Sequence, residues 1–169
     1  MSSVNLNANA VSSTDFSVDS STSLQFMYAK LQLAQSQQMK TQATTVMKSI
    51  QDTQAEQKKV ADMISRAREL QNQAKNKGTT TTMPDDMVKF FKDRGLSYDT
   101  KGNDNNHDKD QWEYNIKSLT NYQDTLGNDT QTKMVYLQDY ISQYNSYLQG
   151  ASQQVNNCAQ TMSTILRNS

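Results

Sequence analysis

The sequence holds one imidazole, His107, and one thiol, Cys158. Any Ser-His-Asp or Cys-His pair would have to draw on His107. That residue lies in the polar stretch DTKGNDNNHDKD, residues 99–110, which reads as a solvated loop. Cys158 falls on a helical seam, where a thiol packs as a small hydrophobe and is out of reach of substrate. A single Cys cannot form an internal disulfide and fits synthesis in a reducing cytoplasm. No GxGxxG, GxxxxGK[ST], HExxH or CxxC spacing occurs, so neither a nucleotide site nor a zinc site is expected. Oxygen side chains at Asp104, Asn106 and Asp108 match the opening positions of an EF-hand loop. Lys109 stands where that loop needs Gly, and Asn115 where it needs a bidentate Glu, so calcium binding is not expected. The chemistry on offer is therefore that of a non-enzymatic protein with no cofactor and no metal.

What the sequence does repeat is apolar spacing. Met134, Leu137, Ile141, Tyr144, Leu148, Ala151, Val155, Cys158, Met162 and Ile165 alternate steps of three and four, the heptad step of a coiled coil. Upstream, Trp112, Ile116, Leu119, Gln123, Leu126 and Thr130 keep one frame, and a frame shift is predicted after Gly127. A first helix carries Met39, Ala43, Val46, Ile50, Thr53, Gln57, Val60, Ile64, Ala67, Gln71 and Ala74 at the same steps. Leu24, Met27, Leu31, Ala34 and Gln38 precede it in a shifted frame. Four tyrosines recur at helical spacing. Tyr144 lies on the seam; Tyr136, Tyr140 and Tyr147 lie off it and are candidates for a second interface with a neighbouring subunit.

These seams imply long helices over about 23–77 and 110–167, each roughly 80 Å long at 1.5 Å per residue. Lys75, Lys77 and Gly78 suit the end of the first helix. The middle segment, 78–109, opens with a GTTTTM linker. A short helix follows over about 84–94, with Pro84 at its start, Asp85 and Asp86 in its first turn and Gly95 at its end. Residues 1–21 are rich in Ser, Asn and Val and nearly uncharged, and are predicted to be a disordered, export-signal-like tail. The fold class expected is all-α: an antiparallel two-helix coiled-coil hairpin with a small helix-containing middle segment and a disordered N-terminus. Residues 22–169 would form one coiled-coil domain.

Composition agrees. Apolar residues make up 34% of the chain, too few for a thick globular core but enough for a narrow seam. Basic and acidic residues balance at 17 each with no basic block, which disfavours nucleic acid. No apolar run approaches the ~18 residues of a membrane span, and a basic start followed by an apolar stretch, as in a Sec-type signal peptide, is missing. Because Thr53, Gln57, Gln71 and the Ala positions bury little apolar area, at about 25 cal/mol per Å², further copies or partner helices are expected to complete the burial.

Three stretches resemble the hydrophilic translocators of bacterial type III secretion, the needle-tip and needle-extension filament proteins of the EspA, SseB and IpaD group. The first is the Ser/Asn/Thr-rich N-terminus. The second is the segment from Met83 through Pro84-Asp85-Asp86-Met87-Val88 to Phe90-Phe91 and Gly95-Leu96, which is similar to the Pro-acidic-acidic helix between the family's two long helices. The third is the Gln-rich heptad helix introduced by Gln111-Trp112 and ending in Met162-Ser163-Thr164-Ile165-Leu166. The resemblance implies a secreted structural subunit at the bacterial surface, cytoplasmic before export. Its implied partners are copies of itself, a cytoplasmic secretion chaperone, the needle subunit and the hydrophobic translocators. The chain length favours the filament branch over the longer tip-capping one. The first-helix apolar stretch is diluted here to Leu24, Phe26, Met27, Tyr28, Leu31 and Leu33. Two other readings of the same helices are a secreted effector that binds a host helix and a cytoplasmic coiled-coil chaperone or adaptor.

Overall fold

Helices of roughly 80–90 Å need few breakers. In the computed structural model, which describes residues 24–167, the order is α1 (Leu24–Lys77), β1 (Thr81–Thr82), α2 (Asp85–Asp93), a 3-10 turn (Lys101–Asn103), β2 (Asn106–His107) and α3 (Lys109–Arg167). The fold is an all-α hairpin in which α1 and α3 pack against each other. The tail expected to be disordered lies outside the described residues.

The stop signals act as their chemistry dictates. Gly78 takes φ 60° just past α1, and Gly95 takes φ 62° just past α2, the left-handed turn that lets exposed helix carbonyls be closed off. Pro84 precedes α2 in an extended conformation, and Asp85 and Asp86 face the positive end of its dipole. Asp108 caps α3: its Oδ1 accepts from the amides of Asp110 and Gln111 at 2.9 Å each.

The described chain divides into two compact units. The central unit is residues 38–144. In it Gln71 Nε2 donates to the carbonyl of Lys109 at 3.1 Å, and Lys133 Nζ donates to Thr53 Oγ1 at 2.9 Å. One partner's number rises as the other's falls, so the pairing is antiparallel. Its core joins Val60, Ile64, Ala67 and Ala74 of α1, Met87, Val88, Phe90 and Phe91 of α2, and Trp112 and Leu119 of α3, with Met83. The small helix is thus a third layer that roofs the seam. Arg66–Asp86 (2.6 Å) and Arg94–Glu56 (2.6 Å) tie it to α1 from either side.

The terminal unit is residues 24–37 with 145–167. Its buried residues are small: Ala29, Ser36 and Ala151. At Gly150 a Cβ would come within 2.6 Å of Gln32 Oε1, so the backbone of α3 runs close beside that amide.

Two sequence expectations are corrected here. The expected frame shifts do not occur. In α1 the inward positions run Gln25, Ala29, Gln32, Ser36, Met39, Ala43 and on to Ala74 in one heptad frame, leaving Leu24, Met27, Leu31, Ala34 and Gln38 exposed. Small side chains let the helices approach, and the large apolar ones stay outside. In α3 the frame of Trp112 continues through Thr130, Lys133, Leu137, Tyr140, Tyr144, Tyr147, Ala151, Gln154 and Cys158. Lys133 holds an inward position because it pairs with Asp129 (2.6 Å) as well as Thr53, so a cation is tolerated where an apolar residue was expected.

The second correction concerns the loop. Thr81 pairs with His107 and Thr82 with Asn106 in a two-stranded antiparallel ribbon. This ribbon closes over His107, which has no exposed surface, and so the solvated loop residue expected from its polar surroundings is a core residue.

Candidate functional site

Each face of α3 can be assigned from its residue spacing. Leu137 and Tyr144 are half-buried on the seam, as expected, and Leu148 is half-buried beside it. Met134 and Ile141, expected on the seam, are exposed in the central unit. Val155 and Met162, also expected there, are exposed in the terminal unit. The side chain of Ile165 lies outside the described residues. The cause is the unbroken frame: positions 134, 141, 155 and 162 fall one residue past the inward positions 133, 140, 154 and the next heptad step, which rotates them to the flank. Tyr140 and Tyr147 are half-buried in the frame and are not a separate face, whereas Tyr136 is exposed. On α1, Ile50, Val60 and Ile64 are buried and Val46 is half-buried.

Most of the exposed large apolar side chains among the described residues belong to the terminal unit. Leu24 is 78% exposed, Leu166 77% and Met162 60%, with Tyr28, Leu31, Leu33 and Val155 each near half. Phe26 carries Lys30 Nζ over its ring at 4.9 Å. Singly exposed Leu or Met residues are ordinary. Here nine large apolar side chains are exposed within residues 24–33 and 155–166.

No family model, curated protein or solved structure matches this chain. The site is therefore read from its residues. Among those described, no helix is long and apolar enough to cross a membrane, and no group of three or more metal-ligating side chains is gathered. The oxygens set out in an EF-hand-like order are engaged within the chain. Asp104 Oδ1 accepts from the amide of Asn106 at 3.0 Å, Asn106 Oδ1 accepts from Thr82 Oγ1 at 2.7 Å, and Asp108 caps α3.

A second cluster, not foreseen, lies under the ribbon. His107 meets Trp112 edge to face, with centroids 5.1 Å apart. Trp112 Nε1 donates to Thr81 Oγ1 at 2.8 Å, and Thr81 Oγ1 donates to the carbonyl of Leu70 at 3.0 Å. Buried Asn115 accepts from the amide of Asp99 at 2.7 Å. Burial pushes the His107 imidazole below its usual range, against the pull of Asp99, Asp104 and Asp108. The β-branched run Thr79–Thr82 was the one available signal for a strand there.

Proposed function

We propose that this protein is a structural subunit of a bacterial type III secretion needle tip or extracellular filament. It self-assembles through its helices and supports translocation of effectors into host cells. The observation that carries the reading is the apolar surface of the terminal unit. Among the described residues, Leu24, Leu31 and Leu33 of α1, and Val155, Met162 and Leu166 of α3, keep about half or more of their surface exposed. Burying such side chains against other helices is favourable at about 25 cal/mol per Å², so association is where that surface gains. The resemblance of the Met83–Leu96 segment and the Gln-rich α3 to needle-tip and filament subunits supplies the biological setting. Copies of the chain, a cytoplasmic chaperone that covers this surface before export, the needle subunit and the hydrophobic translocators are the partners that setting implies.

The test is negative-stain microscopy with light scattering, on the intact chain and on a chain lacking residues 150–169. Filaments or defined rings formed by the intact chain and lost in the truncation are expected. A monodisperse monomer at every concentration, with and without purified needles as template, would reject the assembly role.

A further inference from the structure

His107 occupies a setting that a solvated assembly loop does not require. Its side chain has no exposed surface, and neither ring nitrogen has a hydrogen-bond partner among the described residues. Its Nδ1 lies 3.7 Å from Asp99 Oδ2, close enough for ionic attraction and too far for a hydrogen bond. The side-chain amide of buried Asn115, which holds the Asp99 backbone through its oxygen, also has an Nδ2 with no such partner. The ring therefore sits neutral in a tight joint. On one side is the β1–β2 ribbon, through its own pairing with Thr81. On the other is α3, through the edge-to-face contact with Trp112.

We propose that His107 is an acid-sensitive lock on the middle segment: taking up a proton, it releases the β1–β2 ribbon from Trp112 and α3.

The groups facing the ring set the sign. Asp99 and Asp104 of the connecting loop and Asp108 at the start of α3 are its charged neighbours, and all three favour the protonated form. Trp112 from α3 and the Thr81 backbone from β1 carry no titratable group. Desolvation outweighs the three carboxylates, so the folded chain holds the proton less tightly than the unfolded one. The lock's contribution is complete above the ordinary His range, about 6.5, and declines as the pH falls below it. An imidazolium here can gain a hydrogen-bond acceptor in two ways: by closing the 3.7 Å gap to Asp99 or by moving out to water. Either motion shifts the ring against Trp112. The lock does not depend on whether the chain assembles.

The chain has one His and one Trp, in contact with each other, so each reports on this joint alone. The experiment is a titration of the full chain from pH 7.5 to 5.0. It follows the His107 ring by NMR, Trp112 fluorescence, and hydrogen exchange at the ribbon amides corrected for the intrinsic pH dependence. We expect the ring to titrate below 6.5, the indole emission to shift in step with it, and ribbon exchange to accelerate at least tenfold. His107→Phe keeps an edge-to-face ring without a titratable nitrogen and should abolish the last two changes. His107→Gln serves if that variant fails to fold. An imidazole titrating at or above 6.5, acid exchange that slows, or acceleration that persists in both variants would overturn the proposal.

Discussion

Phe91, Trp112 and Leu119 of the central unit are completely enclosed, while Leu24, Leu31, Met162 and Leu166 of the terminal unit face outward. Both units are built from the same two helices, and both helices hold one heptad frame throughout. What differs is the third layer. In the central unit α2 and the ribbon lay Met83, Met87, Phe90 and Phe91 across the seam, converting a two-helix contact into a core. The terminal unit has small residues between its helices. Ala29, Ser36, Gly150 and Ala151 allow a close approach that buries little apolar surface. Buried apolar surface is thus concentrated where the roof lies, and exposed apolar surface where it does not.

Four substitutions would sharpen or break that contrast. Phe91→Ala removes the central side chain of the roof and should cost about 3–5 kcal/mol, read by denaturant unfolding. A loss under about 1 kcal/mol would mean that α2 is not part of the stabilising core. Glu56→Gln should cost about 1 kcal/mol at neutral pH, since it breaks the 2.6 Å contact with Arg94 that anchors α2. The hydrogen bond from Arg94 holds the Glu56 carboxyl below its usual range. Its contribution is therefore present above the unfolded value of about 4.3 and lost as the pH falls through the folded one. The gap between wild type and variant should narrow as the pH falls below about 4.3 and close only below the folded value, and a gap that never narrows would point to packing. Leu31→Ser and Met162→Ser should each change the stability of the dilute chain by no more than about 0.5 kcal/mol, while abolishing assembly in the microscopy assay. A loss above 2 kcal/mol would show that these faces are core in the single chain.

The architecture was legible because its signals are local. Gly78, Pro84 and Gly95 mark element ends by backbone chemistry alone, and the α1 set from Met39 to Ala74 points inward as its spacing implies. The shifted seams were misread because apolar residues do not always mark the inward side. Met134 looked like core beside Lys133, yet Lys133 is the residue that reaches Thr53 and Asp129. His107 was misread because the ribbon covering it joins segments 26 residues apart, Thr81 to His107, a pairing that no local period encodes.

The antiparallel pairing also governs how the central unit closes. Gln71 and Lys109 are 38 residues apart in the chain, and Thr53 and Lys133 are 80 apart. Bringing the second pair together first would cost about 0.6 kcal/mol more chain entropy than the first, one doubling of loop length. Once the contacts beside the ribbon exist, the Thr53–Lys133 pair has only the 42 additional residues, 80 less 38, left to close. Closure beside the ribbon is thus the entropically cheaper first step. The joint around His107 and Trp112, which holds that first closure, is the hinge pin on which the remaining pairing is threaded.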